Sequence, residues 1–380
     1  MLGADLDRLR TLTGAKWTSD PPDVIPTWVA DMDFRPPPAV TEAIQALVDR
    51  GDFGYNATAR NQLPAAYGDW QHQHFGWRPA EDECMVFTAT LSALSMVLGM
   101  ETAPGDGIAM FTPIYHPFRN ITNESGRRIV GIPLDGPDYR LDPERFEATI
   151  DDGTKMVLFA NPHNPLGRMF DHDELAGFVD VCVRHDLLVI SDEIWCDLTH
   201  QPGHLPLVHH FPEIADRSVT LGSASKSFNL AGLRTAVCHI GAPGVRAKFD
   251  ALPPHSVGGP SSLGCEATLA AWQKGLPWLD DIRSRLTANR DHLLARVESD
   301  LPGVKMHAPE ATYLAWLDFT DTPIAGDPET PLLEIGRIST HGGGKFEPGA
   351  AAFARLNFAT SREILDLIID RIAHTLEATA

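Results

Sequence analysis

From residue 84 to residue 240 the chain repeats one pattern, a short apolar run followed by an amphipathic segment. The runs fall at 84–87, 107–111, 155–159, 187–191, 217–221 and 235–240. The segments between them include 91–101, 142–150 and 171–185, each with apolar residues near helical spacing. Such alternation predicts βα units around a mostly parallel sheet covered on both faces. Ligands of these folds lie beyond the carboxyl ends of the strands, so the loops there are where chemistry is expected.

The flanking regions predict a second lobe. The opening segment is rich in Pro and Asp, contains W-V-A-D-M-D-F at 28–34, and reads as an extended arm with one short strand. Prolines at 36–38 then start a helix that Gly51 closes. A long helical pattern from 277 to about 299 bridges to strands at 312–318 and 353–358 and a closing helix at 362–376. The expectation is an α/β protein with a large mostly parallel domain and a smaller α+β domain. Its divisions are 1–44 for the arm and part of the small domain, 45–281 for the large domain and 282–380 for the remainder of the small one.

Charge and composition narrow the function. Fifty-one acidic residues face 31 basic ones, giving a net charge of −20, which repels phosphodiester backbones and anionic membranes. No stretch approaches the roughly 20 apolar residues of a membrane span. The first thirty residues carry Asp5, Asp7, Asp20 and Asp23 and lack the apolar core of a signal peptide. The five cysteines are irregularly spaced, with no C-x-x-C pair, which fits a reducing cytoplasm and neither a disulfide framework nor a zinc site. The pairs His72/His74 and His209/His210 lack a metal-binding arrangement, so no metal is expected. Only seven lysines are present, which restricts the search for a reactive amine.

Three motifs follow three of the apolar runs in order. A-N-P-H-N-P-L-G-R occupies 160–168, S-D-E-I-W occupies 191–195, and G-S-A-S-K-S-F-N-L-A-G-L-R occupies 222–234. Singly, each has a plain reading as a turn, a helix cap or a solvated loop. Together they supply what pyridoxal phosphate (PLP) chemistry needs. Lys226 is the only lysine in a polar strand-end loop and can condense with an aldehyde. Asp192 is a carboxylate for the pyridine nitrogen, keeping it protonated so that the ring accepts electrons. Asn164 can donate to the ring oxygen O3′. Ser223, Ser225, Arg234 and the backbone N–H groups near Thr90 and Leu91 can hold a phosphate.

With these motifs the chain resembles fold-type I PLP enzymes of aminotransferase class I/II, and within them the cystathionine β-lyase or cysteine C–S lyase branch. The similarity runs from about residue 25 to 375. It includes W-V-A-D-M-D-F, F-G-Y at 53–55, P-I-Y-H-P-F at 113–118 and A-R-L-N-F-A at 354–359. The spacing agrees: 28 residues from Asn164 to Asp192, 34 to Lys226 and 8 more to Arg234. The resemblance implies that Tyr115 stacks on the pyridine ring and takes part in catalysis. It implies that Tyr55 reaches the cofactor phosphate of a neighbouring subunit in a homodimer. Arg355 is implied to bind the substrate α-carboxylate through a bidentate pair, with Ala30 and Asp31 close by.

Three positions depart from the branch. Trp195 stands where His is usual, and an indole donates a hydrogen bond but cannot carry a proton. Thr90 replaces a common glycine and Ala224 a common proline. Trp195 is expected with its ring edge near O3′. The run H-G-G-G-K at 341–345 lacks a phosphate-loop context and is expected to be a flexible turn near the site's mouth.

The reaction these features imply is α,β-elimination from a cysteine thioether, with Lys226 as the base at Cα. Cystathionine or an S-substituted cysteine would yield thiol, pyruvate and ammonia. An aminotransferase shares every step up to proton removal and is the alternative. A PLP-binding partner of a regulator is a further one, unsupported by any marked surface.

Overall fold

The apolar runs build a seven-stranded sheet in a computed structural model that describes residues 4–253 and 256–380. Residues 1–3 of the expected arm, and 254 and 255 of the expected large domain, lie outside the described residues. The strands are β1 (Cys84–Phe87), β2 (Gly107–Thr112), β3 (Arg128–Pro133), β4 (Thr154–Ala160), β5 (Leu188–Asp192), β6 (Ser218–Gly222) and β7 (Ala236–Ile240). Their spatial order is β1-β7-β6-β5-β4-β2-β3. Only β7 runs against its neighbours; every other pair is parallel.

Six of these strands lie within a residue of the expected runs; β3 was not expected. It reads R-I-V-G-I-P, with a glycine and a proline that argue against a strand interior. Its place at the sheet edge explains both residues, because there the outer side of the ladder needs no partner.

The central strands are buried on both faces, which is why they read as continuous apolar runs. In β4, Met156, Leu158 and Ala160 pack into one core cluster, and Val157 and Phe159 into another. The helix Thr90–Glu101 covers the first face with Leu94, Val97 and Leu98. The helix His172–Arg184 covers the second, stacking Phe178 on Phe159 at 4.3 Å between ring centroids. A capping box between Asp171 and Glu174 starts that helix.

The helix Ala57–Phe75 was also not read from sequence. Its buried stripe of Leu63, Ala66, Tyr67 and Trp70 has helical spacing, but Pro64 and Gly68 interrupt the pattern. Further helices at His116–Glu124, Pro243–Asp250 and Ser262–Lys274 complete the cover.

The C-terminal part forms a four-stranded antiparallel sheet, in the order His341–Gly342, Phe353–Asn357, Leu314–Asp318, Lys305–Met306. The helices Leu276–Asp300 and Arg362–Thr379 accompany it. The arm's strand Ile25–Pro26 pairs in parallel with Ile338–Ser339, so the start of the chain joins the C-terminal part. H-G-G-G-K is not a loose turn. His341–Gly342 is paired with Phe353–Asn357, and a Cβ on Gly343 would meet the Ala350 carbonyl at 2.1 Å. Close backbone packing, rather than freedom, accounts for that glycine. No helix among the described residues is long and apolar enough to cross a membrane. All five cysteines are buried and unbridged.

Candidate active site

β2, β4, β5 and β6 are parallel, so their carboxyl ends open on the same side of the sheet. One cavity lies there. It is lined by Thr90, Leu91, Tyr115, Asn164, Asp192, Trp195, Ser223, Ser225, Lys226, Arg234 and Ala30. Eleven residues singled out from the sequence therefore converge, from segments spread over some two hundred positions.

Lys226 follows β6 and is half-buried; its Nζ donates to the Ala30 carbonyl at 2.9 Å. Burial lowers its pKa, opposed by the nearby charge of Asp31. Desolvation thus favours the neutral amine, the form that is nucleophilic and basic. Nζ sits 5.7 Å from the centroid of the Trp195 ring. That ring is itself buried and meets Tyr313 edge-on at 4.8 Å.

Asp192 ends β5. Among the described residues its carboxylate accepts one hydrogen bond, from the Ile194 N–H at 3.2 Å. Burial pushes its pKa up to about 7. A buried carboxylate this poorly satisfied calls for a cationic or donor group opposite it.

Other groups of the same lining favour an anion. The helix Thr90–Glu101 has Ala89 at its N-cap, and no side chain caps it. Its first N–H groups are therefore available, at the positive end of the helix dipole. The Ser223 and Ser225 hydroxyls lie 2.7 Å apart, with Ser223 also 2.7 Å from the Thr235 carbonyl. Arg234 adopts a left-handed backbone conformation (φ 54°) as its segment turns back towards β7. An amine, a buried carboxylate and an anion cradle in one lining together fit pyridoxal phosphate.

The loop that presents Asn164 is fixed from outside. Gly167 has φ 69°, and a Cβ there would come within 2.4 Å of Pro309. Its carbonyl accepts from the Glu310 and Ala311 N–H groups, both at 2.9 Å. Arg168 pairs with buried Glu174 at 2.9 Å and with Glu310 at 3.0 Å. Asn164 Oδ1 accepts from Arg355 Nη1 at 3.1 Å, which leaves its amide N–H groups to donate elsewhere.

Three of the expected site residues lie outside the cavity lining. Arg355 is buried behind Asn164, with Nη2 also donating to the Trp28 carbonyl at 2.7 Å and to His341 Nδ1 at 3.2 Å. Burial lowers its pKa to about 10, still charged at neutral pH. Asp31 follows Ala30, and its carbonyl accepts from Lys16 Nζ at 3.0 Å and from Asn357 Nδ2 at 2.7 Å. Tyr55 is fully exposed.

Sequence reasoning missed two neighbours. Tyr313 donates to the same Ala30 carbonyl as Lys226, at 2.7 Å. The apolar run 312–318 marks it as a strand residue, and no motif marks its hydroxyl. His341 lies in a run that reads as a turn, and only strand pairing opposite Arg355 brings it to the site.

The aminotransferase class I and II family profile matches residues 25–372. The chain is 36% identical over 360 residues to cystathionine beta-lyase PatB of Bacillus subtilis (strain 168), covering 93% of each protein. It is 33% identical to the cystathionine beta-lyase of Corynebacterium glutamicum, over 98% of this chain and 99% of that one. The crystal structure of a putative PLP-dependent beta-cystathionase from Corynebacterium diphtheriae is 30% identical, with a TM-score of 0.93 over 99% of both chains. The convergent strand-end motifs and these matches along nearly the whole length establish that the chain belongs to the aminotransferase class I and II family, in its cystathionine β-lyase branch.

Proposed function

We propose that the protein is a PLP-dependent carbon–sulfur lyase acting on cysteine thioethers such as cystathionine or an S-substituted cysteine. One observation carries the reading: an amine, Lys226, lines the same cavity as a buried carboxylate, Asp192, and an anion cradle. Bound there, PLP supplies a sink for the electron pair left at the substrate's Cα. Lys226 would hold the cofactor and would serve as the base for the Cα proton. Its lowered pKa suits a base that must be neutral near pH 7. Asp192 would serve the pyridine nitrogen, Asn164 would donate to O3′, and Trp195 would border the same oxygen. Tyr115 would pack on the ring. Ser223, Ser225, Arg234 and the N–H groups of Thr90 and Leu91 would hold the phosphate. Arg355 would take the substrate carboxylate, with Ala30 and Asp31 at its side. A thiolate at Cβ is a competent leaving group, so elimination competes well with proton return.

The chain's divisions near 44 and 281 and a homodimer belong to the same reading. Tyr55 is a fully exposed aromatic ring, as suits a side chain that completes a neighbour's phosphate site. The net charge, the buried cysteines and the absence among described residues of a spanning helix are compatible with a cytoplasmic enzyme.

Three outcomes are expected. Purified protein with S-alkyl cysteines yields thiol, pyruvate and ammonia in equal amounts without an added keto acid. If turnover instead requires a keto-acid acceptor and no thioether releases thiol, the enzyme is an aminotransferase.

Asp192 gives a pH test in cofactor-free protein. Its folded pKa of about 7 lies above the unfolded value. The neutral carboxyl's contribution is complete below about pH 4 and is lost as pH rises through about 7, each tenfold in proton affinity being worth about 1.4 kcal/mol. Asp192→Asn should therefore stabilise the cofactor-free protein at pH 8 while abolishing tight PLP binding. Denaturant melts at pH 5 and pH 8 check the first part; equal wild-type and mutant pH slopes would refute it.

Tyr55→Phe should weaken PLP retention without changing the sedimentation of the dimer. Full activity in a monomer at assay concentration would contradict the shared site.

A further inference from the structure

Arg355 has five N–H donors in a rigid fork, and a carboxylate can grip it bidentately along only two edges. One edge pairs Nη1 with Nη2, the other Nε with Nη2, since Cδ blocks the third. Both edges use Nη2. Here both Nη2 protons are taken, one by the Trp28 carbonyl at 2.7 Å and one by His341 Nδ1 at 3.2 Å. Nε is buried with no hydrogen-bond partner among the described residues. A substrate carboxylate can therefore form its bidentate pair only by displacing one of the two acceptors.

The two are not equally movable. The backbone around Trp28 is pinned: Thr27 N–H donates to the Ser339 carbonyl at 2.8 Å and Asn357 N–H to the Thr27 carbonyl at 2.9 Å. Asn357 Nδ2 also donates to the Val29 carbonyl at 2.7 Å. His341 is a side chain, only partly buried, held by ring contacts with Trp28 at 5.3 Å and His116 at 5.0 Å. It also has somewhere to go. His116 Nδ1 is buried without a partner among the described residues, in the ring that meets His341 edge-on. Burial and Arg355 hold His341 neutral, so its ring keeps one N–H to donate there.

We infer that His341 is a placeholder for the substrate carboxylate: its Nδ1 occupies an Arg355 Nη2 proton in the free enzyme and turns away towards His116 when an α-carboxylate binds. This rests on the proposed lyase reading only in taking Arg355 as the carboxylate site. His341 is thus a positioning residue, one that keeps the buried guanidinium satisfied between turnovers and yields on binding.

The sign of one substitution tests it. The probe is 3-(methylthio)propanoate, which has the carboxylate of S-methyl cysteine and no amine, titrated by calorimetry into the PLP-loaded protein. In His341→Phe the ring remains and the acceptor is gone, so an orphaned Arg355 N–H gains a charge-assisted bond on binding. The dissociation constant should fall about tenfold. His341→Asn, which restores an acceptor, should bind as wild type does. The amide 3-(methylthio)propanamide should show no difference among the three, and Arg355→Leu should abolish the effect of His341→Phe. If His341→Phe does not fold, His341→Leu is read in its place. Weaker binding in the Phe or Leu variant would make His341 a fixed support and overturn the proposal. Unchanged binding, or an equal change with the amide, would also overturn it. The titration needs no turnover, so failure of thiol release from S-alkyl cysteines would remove the lyase reading without deciding this one.

Discussion

The site depends on how the segment 28–34 is held. The Ala30 carbonyl accepts from Lys226 Nζ at 2.9 Å and from Tyr313 Oη at 2.7 Å. A buried amine needs such an acceptor, since an unsatisfied donor away from water costs about 1–3 kcal/mol. That carbonyl is in place because two asparagines grip the segment from opposite sides. Asn357, in the C-terminal sheet, donates to the Val29 and Asp31 carbonyls, both at 2.7 Å. Asn229, three residues after Lys226, donates to the Met32 and Phe34 carbonyls and accepts from the Met32 N–H at 3.0 Å. The start of the chain is thereby sewn to both the lysine loop and the arginine strand. Buried Lys16 adds an ion pair with Asp33 at 2.8 Å.

Three ionisable groups surround this suture, and none is well matched by its protein neighbours. Among the described residues Asp192 has a single N–H donor, Lys226 a neutral carbonyl and Arg355 neutral acceptors. Left so, each carries a desolvation cost, visible as the raised pKa of Asp192 and the lowered ones of Lys226 and Arg355. In the proposed reading ligands complete the arrangement: a pyridinium at Asp192, an aldehyde at Lys226 and a carboxylate at Arg355. Perturbed titration in a cleft is a common mark of function, and here each perturbed group has a distinct partner in the proposed reaction.

Much of this was legible from sequence because it depends on local pattern. Strands buried on both faces advertise themselves as apolar runs, and strand-end loops hold the polar residues; hence eleven site residues in one cavity. What escaped was set by tertiary context. β3 tolerates Gly131 and Pro133 only because it is an edge. The helix Ala57–Phe75 keeps its buried stripe despite Pro64 because packing outweighs propensity. Tyr313 and His341 reach the site through pairings across the chain that no short window contains. The run that holds His341 misleads for a related reason: its glycines suggest a turn, whereas Gly343 is there to let backbone and Phe353 approach.

Lys226 is the amine proposed to hold the cofactor. Borohydride reduction of the PLP-loaded protein, followed by proteolysis and mass spectrometry, tests this directly. A single pyridoxyl group is predicted, on the peptide containing Lys226, together with loss of the visible absorption band in Lys226→Ala. A stable label on Lys155 or Lys345 instead, or an unchanged band in the Lys226 variant, would contradict it.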